Sequence, residues 1–185
     1  MAEEVALRGA RVVLRRWRDA DRRPFAALNA DPQVMRHFPA RLSRAQSDAL
    51  VDRIEAHLDA HGWGLWALEV PAFGFAGFVG LAPVGIALPG IDEPVREVGW
   101  RLMRAAWGHG YASEAAQLAL AHAWHVLGWP RIVSYTAVSN EASQRVMRRI
   151  GLAELARFEH PRVPEGHPVR PHVVFGAFAP RSKPS

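Results

Sequence analysis

The sequence predicts a single α/β domain of the α+β kind. Its apolar pattern alternates between strand and helix periods in the order β, α, α, three strands, then α, β, α, β, β. No linker is long enough to split the 185 residues into two domains, and a two-glycine turn joins one strand directly to an alanine-rich helix. A domain of this length buries roughly 70% of its unfolded surface.

Residues 11–16 (RVVLRR) read as the first strand, and Asp19 or Asp21 caps a short helix containing Phe25 and Leu28. Ser43 and Gln46 form a capping box that starts a helix burying Leu50, Ile54 and Leu58, and Gly62 ends it. Residues 63–70 and 73–82 read as paired strands, and 83–94, with its prolines and glycines, as a loop. The strand at 95–103 alternates Val95/Glu97/Gly99/Arg101 with Arg96/Val98/Trp100/Leu102. The helix at 111–127 has a small-residue face of Ala112, Ala116, Ala119 and Ala123 that allows close approach to a sheet. After a strand at 131–138, the helix at 140–150 buries Ala142, Val146 and Ile150 and stops at Gly151. Strands at 152–159 and 172–178 complete the sheet. The domain is expected to span residues 1–179, with 180–185 (PRSKPS) as a disordered tail.

Hydrophobic residues make up 49% of the chain and charged ones 22%, the proportions of a soluble globular enzyme. No apolar run reaches the ~18 residues of a membrane span, and MAEEVALRG lacks the regions of a signal peptide. With 0 cysteines there is no disulfide, thiol nucleophile or thiolate metal site. The expected location is the cytoplasm. The net charge of +5, from 23 Lys+Arg against 18 Asp+Glu, is scattered in short arginine clusters. That scatter argues against a nucleic-acid surface, while the positive charge itself argues for an anionic or ribosome-proximal partner and against a polyamine. The pairs His57/His61 and His122/His125 lack a carboxylate third ligand, so they read as polar helix faces and no metal is expected.

The stretch WGHGYASEA at 107–115 exposes backbone N–H groups at a helix N-terminus, a cradle for phosphate oxygens. The dinucleotide fingerprint fails because Ser113 stands at its third glycine, and a P-loop fails for want of Gly-Lys-Ser/Thr. The turn, the strand before it and the 140–151 helix together resemble an N-acetyltransferase of the GNAT superfamily, whose pattern Q/R-x-x-G-x-G/A is met by Gly108 and Gly110. EVGWRLMRAAWGHGYASEA, VSNEASQRVMRRIGL, FEHPRVPEGHPVRPHVVF and DPQVMRHFP resemble the RimJ/RimL-type branch, whose founders acetylate ribosomal-protein N-termini. The likeness runs through about Leu7 to Phe178.

The resemblance implies one mixed, mostly antiparallel sheet of about six or seven strands flanked by about four helices and splayed at a central parallel pair. It implies acetyl-CoA as co-substrate. Trp100, Leu102, Met103, Arg104, Trp107, Gly108, His109, Gly110, Tyr111, Ala112, Asn140 and Ser143 fall at its binding positions. A backbone N–H near Trp100 to Met103 is the implied oxyanion donor. Asn140 matches an asparagine that holds the pantetheine arm, and it also reads simply as a helix N-cap. His37, Phe38 and the stretch from His160 to His172 border the acceptor pocket. The pattern's Gln/Arg falls on Ala105, so backbone N–H groups, or Arg104, take over there. Its tyrosine acid falls on Met147, leaving Ser143 or water to protonate the thiolate.

Acetyl transfer requires an unprotonated amine. Deprotonation at pH 7 costs about 1 kcal/mol for an α-amine and about 4.6 kcal/mol for a lysine. Glu97 is the candidate base, sharing a strand face with Gly99, where missing bulk leaves room for a ligand; the alternative is an ordinary strand residue paired with Arg101. Arg145, Arg148 and Arg149 read either as contacts for a coenzyme A phosphate or as a solvated face. Seven tryptophans indicate a rigid core, with Trp66 and Trp107 as candidates for ligand surface. The acceptor stays open between a protein or peptide N-terminus and a small-molecule amine, and a homodimer stays open too. A non-catalytic acyl-CoA-binding module is the rival reading.

Overall fold

The computed structural model describes residues 7–180. One sheet of eight strands runs β1-β2-β3-β4-β5-β6-β8-β7. Its strands are β1 (Leu7–Arg8), β2 (Val13–Arg15), β3 (Leu65–Val70), β4 (Gly74–Pro83), β5 (Arg96–Leu102), β6 (Arg131–Ala137), β7 (Ala153–Glu159) and β8 (Pro171–Phe178). Every neighbouring pair is antiparallel except β5 and β6, which are parallel and meet only at Arg96↔Ile132 and Glu97↔Val133. The helices are α1 (Asp19–Ala30), α2 (Arg44–His61), α3 (Tyr111–His125) and α4 (Glu141–Arg149). The expected architecture is present, with the two-residue β1 as an additional edge strand. The expected tail, past Pro180, lies outside the described residues.

β4 is buried from Ala76 to Leu81 because layers cover both of its faces. Gly77 has φ +135°, and a Cβ there would lie 2.1 Å from the Arg101 carbonyl oxygen of β5, so only glycine fits. One layer is built on aromatic edges: Phe25 of α1 meets Trp17 at 4.9 Å and Phe78 of β4 at 6.0 Å. Arg15 ties β2 to α1 and β3, reaching Asp21 at 2.7 Å and Glu69 at 2.6 Å. The helix starts at Asp19, and the capping carboxylate is Asp21, which accepts the Arg18 N–H at 2.8 Å. The opposite layer is α3, whose Ala115, Ala116, Ala119 and Ala123 are buried against the sheet, while Ala112 is half-buried.

Several boundaries differ from the sequence expectation for local reasons. Arg11 is outside β2 because its backbone and side chain bind Glu114 of α3, at 2.7 and 2.8 Å. On α2 the buried stripe is Ser47, Val51, Ile54 and Leu58, and Leu50 stands at its edge. On α4 the buried residues are Gln144 and Met147, with Ile150 at the cap; Ala142 is exposed and Val146 half-buried. The loop after β4 folds back through a Leu88↔Ile91 bridge, and both side chains pack on Val133 and Val174.

Candidate active site

Beyond Glu97 and Val133 the parallel strands separate and leave a gap through the sheet. The N–H of Met103 donates to the Ala76 carbonyl of β4 at 2.9 Å. Backbone alternation therefore turns the N–H groups of Trp100 and Leu102 the other way, toward the gap. The Leu102 carbonyl is occupied by the Trp107 indole N–H at 2.9 Å, which ties the next turn to the end of β5. A cavity of about 850 Å³ passes through the gap, a volume suited to a cofactor-sized ligand.

One end of this cavity is the glycine turn. After a 3-10 turn at Arg104–Ala106, Gly108 and Gly110 adopt φ of +79° and +80°, and Gly110 is the N-cap of α3. This left-handed backbone sends the first-turn N–H groups of α3 toward the cavity. Arg11 braces the turn from behind by donating to the His109 carbonyl at 2.9 Å. Ser113, in the first turn of α3, is 6% exposed, lines the cavity, and has a buried Oγ with no hydrogen-bond partner. An orphan hydroxyl beside free N–H groups fits an anionic ligand such as a diphosphate. Trp107, Tyr111 and Ala112 are on the wall with the two glycines. Met103, Arg104 and His109 lie outside it: Arg104 is exposed, and His109 stacks on Tyr111 at 5.3 Å.

α4 forms the side wall. The Asn140 carboxamide oxygen accepts the Ser143 N–H at 3.2 Å, as an N-cap does. Its Nδ2 donates to Thr136 Oγ1 at 3.0 Å and to Ser143 Oγ at 3.1 Å. Both Nδ2 protons are thus used inside the protein, Oδ1 keeps one lone pair, and the hydroxyl proton of Ser143 is left free to donate. Met147 is 1% exposed and also reaches the cavity. Arg145 and Arg149 flank it, whereas Arg148 lies over Phe175 at 5.2 Å. Trp66 is fully buried and meets the His122 ring edge-on at 5.6 Å, so it forms no part of the wall.

The other end opens on the face that carries Glu97, Gly99 and Arg101. Glu97 lies at the vertex of the gap, and among the described residues no cation comes within ion-pair distance of it. Burial pushes its carboxyl up to about 8. Gly99 has open space where a Cβ would stand. Tyr135 of β6 shares this face, and burial, then the Glu97 charge, raise its phenol. Around it, His160 and His172 stand 4.7 Å apart, each with an imidazole lowered first by burial. His37 closes the mouth: it accepts from Arg36 Nε at 3.0 Å and donates from Nδ1 to Ser139 Oγ at 3.1 Å. Arg101 is not paired with Glu97; it donates to Asn29 Oδ1 at 2.6 Å and lies over the Phe38 ring at 4.3 Å.

A family model described as an acetyltransferase (GNAT) domain matches residues 11–153, more than half of the chain. The chain belongs to the GNAT acetyltransferases. YkkB, an uncharacterized protein of Bacillus subtilis, is 30% identical over 144 residues, 77% of this chain and 81% of that one. A GNAT-family acetyltransferase structure from Bacillus anthracis superposes with a TM-score of 0.79 at 20% identity, covering 95% of this chain and 99% of its own. RimL, a ribosomal alpha-N-protein acetyltransferase solved with coenzyme A, superposes at 0.75 with 15% identity, covering 94% and 98%. At that identity the likeness to RimL is one of fold.

By its family the chain is an acetyl-CoA-dependent N-acetyltransferase, and its gap, glycine turn and α4 cap lie along one cavity. The strand and turn residues named from the sequence are largely on that wall. Ser113 and Tyr135 are additional on the wall, and Asn29 stands buried behind it as the partner of Arg101. Ser113 carries a signal in the sequence, a serine among alanines in the first turn of a phosphate-cradle helix. Tyr135 and Asn29 carry none, because their positions depend on register and on a contact 72 residues distant. Among the described residues no His/Asp/Glu group is arranged to hold a metal ion, and no helix is long and apolar enough to cross a membrane.

Proposed function

We propose that this chain moves an acetyl group from acetyl-CoA onto the uncharged primary amine of an acceptor, a protein N-terminus or a small molecule, by direct attack in a ternary complex. The observation that carries the reading is the gap between β5 and β6 with an unpaired, burial-raised Glu97 at its vertex. Bound acetyl-CoA supplies an activated thioester. The N–H groups of 107–112 and the Ser113 hydroxyl hold its diphosphate. The N–H groups of Trp100 and Leu102 face the gap and stabilise charge developing on the carbonyl oxygen. The Glu97 carboxylate takes the amine proton, directly or through a water. The free hydroxyl proton of Ser143 is available to the departing sulfur, and with 0 cysteines the chain has no thiol for a covalent acetyl-enzyme. His37, Phe38 and His160 border the acceptor. The four segments quoted from the sequence support placement in the RimJ/RimL-type branch.

The test follows label from [acetyl-labelled] acetyl-CoA into a panel of amines and N-terminal peptides. Transfer into an amine fraction is expected; label that stays on coenzyme A with every acceptor contradicts the reading.

A further inference from the structure

The acceptor half of the cavity contains a charge the protein does not balance. Arg101 is on β5, two residues past Gly99, and lines the cavity. Its Nη1 donates to the neutral Asn29 Oδ1, and its Nε is buried without an acceptor. The guanidinium lies 4.3 Å from the Phe38 centroid and 5.4 Å from that of Phe78. Among the described residues no carboxylate lies within ion-pair distance of it. Burial lowers the group only to about 10, so it remains a cation at neutral pH.

A half-buried guanidinium whose Nε is buried without an acceptor and which has no counter-ion is costly, and two aromatic faces and one amide oxygen offset only part of that cost. A guanidinium has five N–H donors in a rigid fork, and one amide oxygen takes one of them. The rest of the cavity adds to the imbalance: four more arginines, Arg36, Arg145, Arg149 and Arg162, and a single carboxylate, Glu97, are on its wall. We propose that Arg101 is the recognition group for an anion on the acceptor, so that the acceptor is an amine that also carries a carboxylate. The proposal rests on the acetyltransferase reading above for the role of the amine. It also disfavours polyamines, whose second cation would face Arg101.

The arrangement is suited to this task. Asn29 is itself fully buried and held by Ser47, with Nδ2 to Oγ at 2.9 Å, so it fixes the guanidinium plane. Little side-chain freedom is left to lose when a carboxylate binds in a bidentate mode. Glu97 and Arg101 share one face of β5, their Cα atoms about 13 Å apart along the strand, so one acceptor can present its carboxylate to Arg101 and its amine toward Glu97, directly when the two groups are several bonds apart and through an intervening water when they are close. Free amino acids and peptides with an acidic residue near the N-terminus both have this chemistry.

The experiment uses the full chain saturated with coenzyme A and measures calorimetric binding of product-like probes. These are the N-acetyl derivatives of glycine, β-alanine, aspartate and glutamate, and an N-acetyl tetrapeptide with an acidic second residue, each against its carboxamide. The carboxylate form of at least one probe is expected to bind about tenfold to a hundredfold more tightly than its amide. Which probe wins assigns the source, free amino acid or peptide. Arg101→Gln brings the ratio to about one. Asn29→Asp supplies an internal counter-ion with the guanidinium in place and also abolishes the preference; an Arg101 that merely clamps α1 to β5 would leave it untouched. Equal binding of acid and amide, no binding of any probe, or a preference that survives both substitutions overturns the proposal. Acetyl transfer to neutral amines with no carboxylate preference would sink this inference and leave the reaction standing. Arg101-dependent carboxylate binding without transfer to any amine would do the reverse.

Discussion

Glu97 and Ser113 are the two residues whose environments make opposite demands on stability and function. Burial without a facing cation raises the Glu97 carboxyl to about 8, far above the ordinary ~4.3 of a glutamate. A base must be ionised, so kcat/KM is expected to rise through about pH 8. Glu97→Gln lowers turnover and flattens that rise; an unchanged pH–rate profile removes Glu97 from the reaction. The same shift has a stability consequence. The folded state holds a proton that the unfolded chain releases near ~4.3, so Glu97 costs increasing stability as pH climbs from there to about 8. Melting curves should therefore show Glu97→Gln more stable than the parent above pH 8, with the difference vanishing below pH 4. Ser113 has a buried hydroxyl with no partner, so Ser113→Ala leaves the melting temperature unchanged or raised. It loses one hydrogen bond to the diphosphate, and KM for acetyl-CoA is expected to increase roughly three- to tenfold. An unaltered KM places the diphosphate elsewhere.

At the scale of elements, the glycines of β4 and β5 have separate jobs. Gly77→Ala drives a Cβ against the Arg101 carbonyl at a φ that side chains avoid, and chemical denaturation should show a loss of about 2 kcal/mol or more. Gly99 faces open space, so Gly99→Val keeps the fold and fills the acceptor side; the expectation is a near-parental melting temperature with acceptor KM raised at least tenfold. Sequence reasoning reached the elements that local chemistry dictates. The capping box of Ser43 and Gln46 forms as expected, with the Ser43 N–H to Gln46 Oε1 at 2.8 Å, and Gly62 and Gly110 bound their helices as positive-φ residues. It erred where tertiary contact decides, as at Arg11, which Glu114 draws out of β2, and on α4, where Met147 rather than Ala142 faces inward. The two-residue β1 is too short to leave a pattern. The partners of Arg101 were beyond reach, since Asn29 and Phe38 come to β5 only through the packing of α1 and the loop after it.

The molecule as a whole divides its tasks between the two faces of a split sheet. In the proposed reaction the face bearing α3 and α4 would present N–H groups, a lone hydroxyl and arginines to a phosphate-bearing donor, and the opposite face Glu97, histidines and Arg101 to an acceptor. The two meet only where β5 and β6 part. Transfer of the acetyl group to an amine is what separates an enzyme at this passage from a module that merely holds acetyl-CoA. The most direct measurement is release of coenzyme A thiol from acetyl-CoA, with and without each of a panel of amines and N-terminal peptides, carboxylate-bearing ones included. Thiol release that depends on an acceptor and increases toward pH 8 is the predicted result. Saturable acetyl-CoA binding with no acceptor-dependent thiol from any amine would contradict it and leave a binding module.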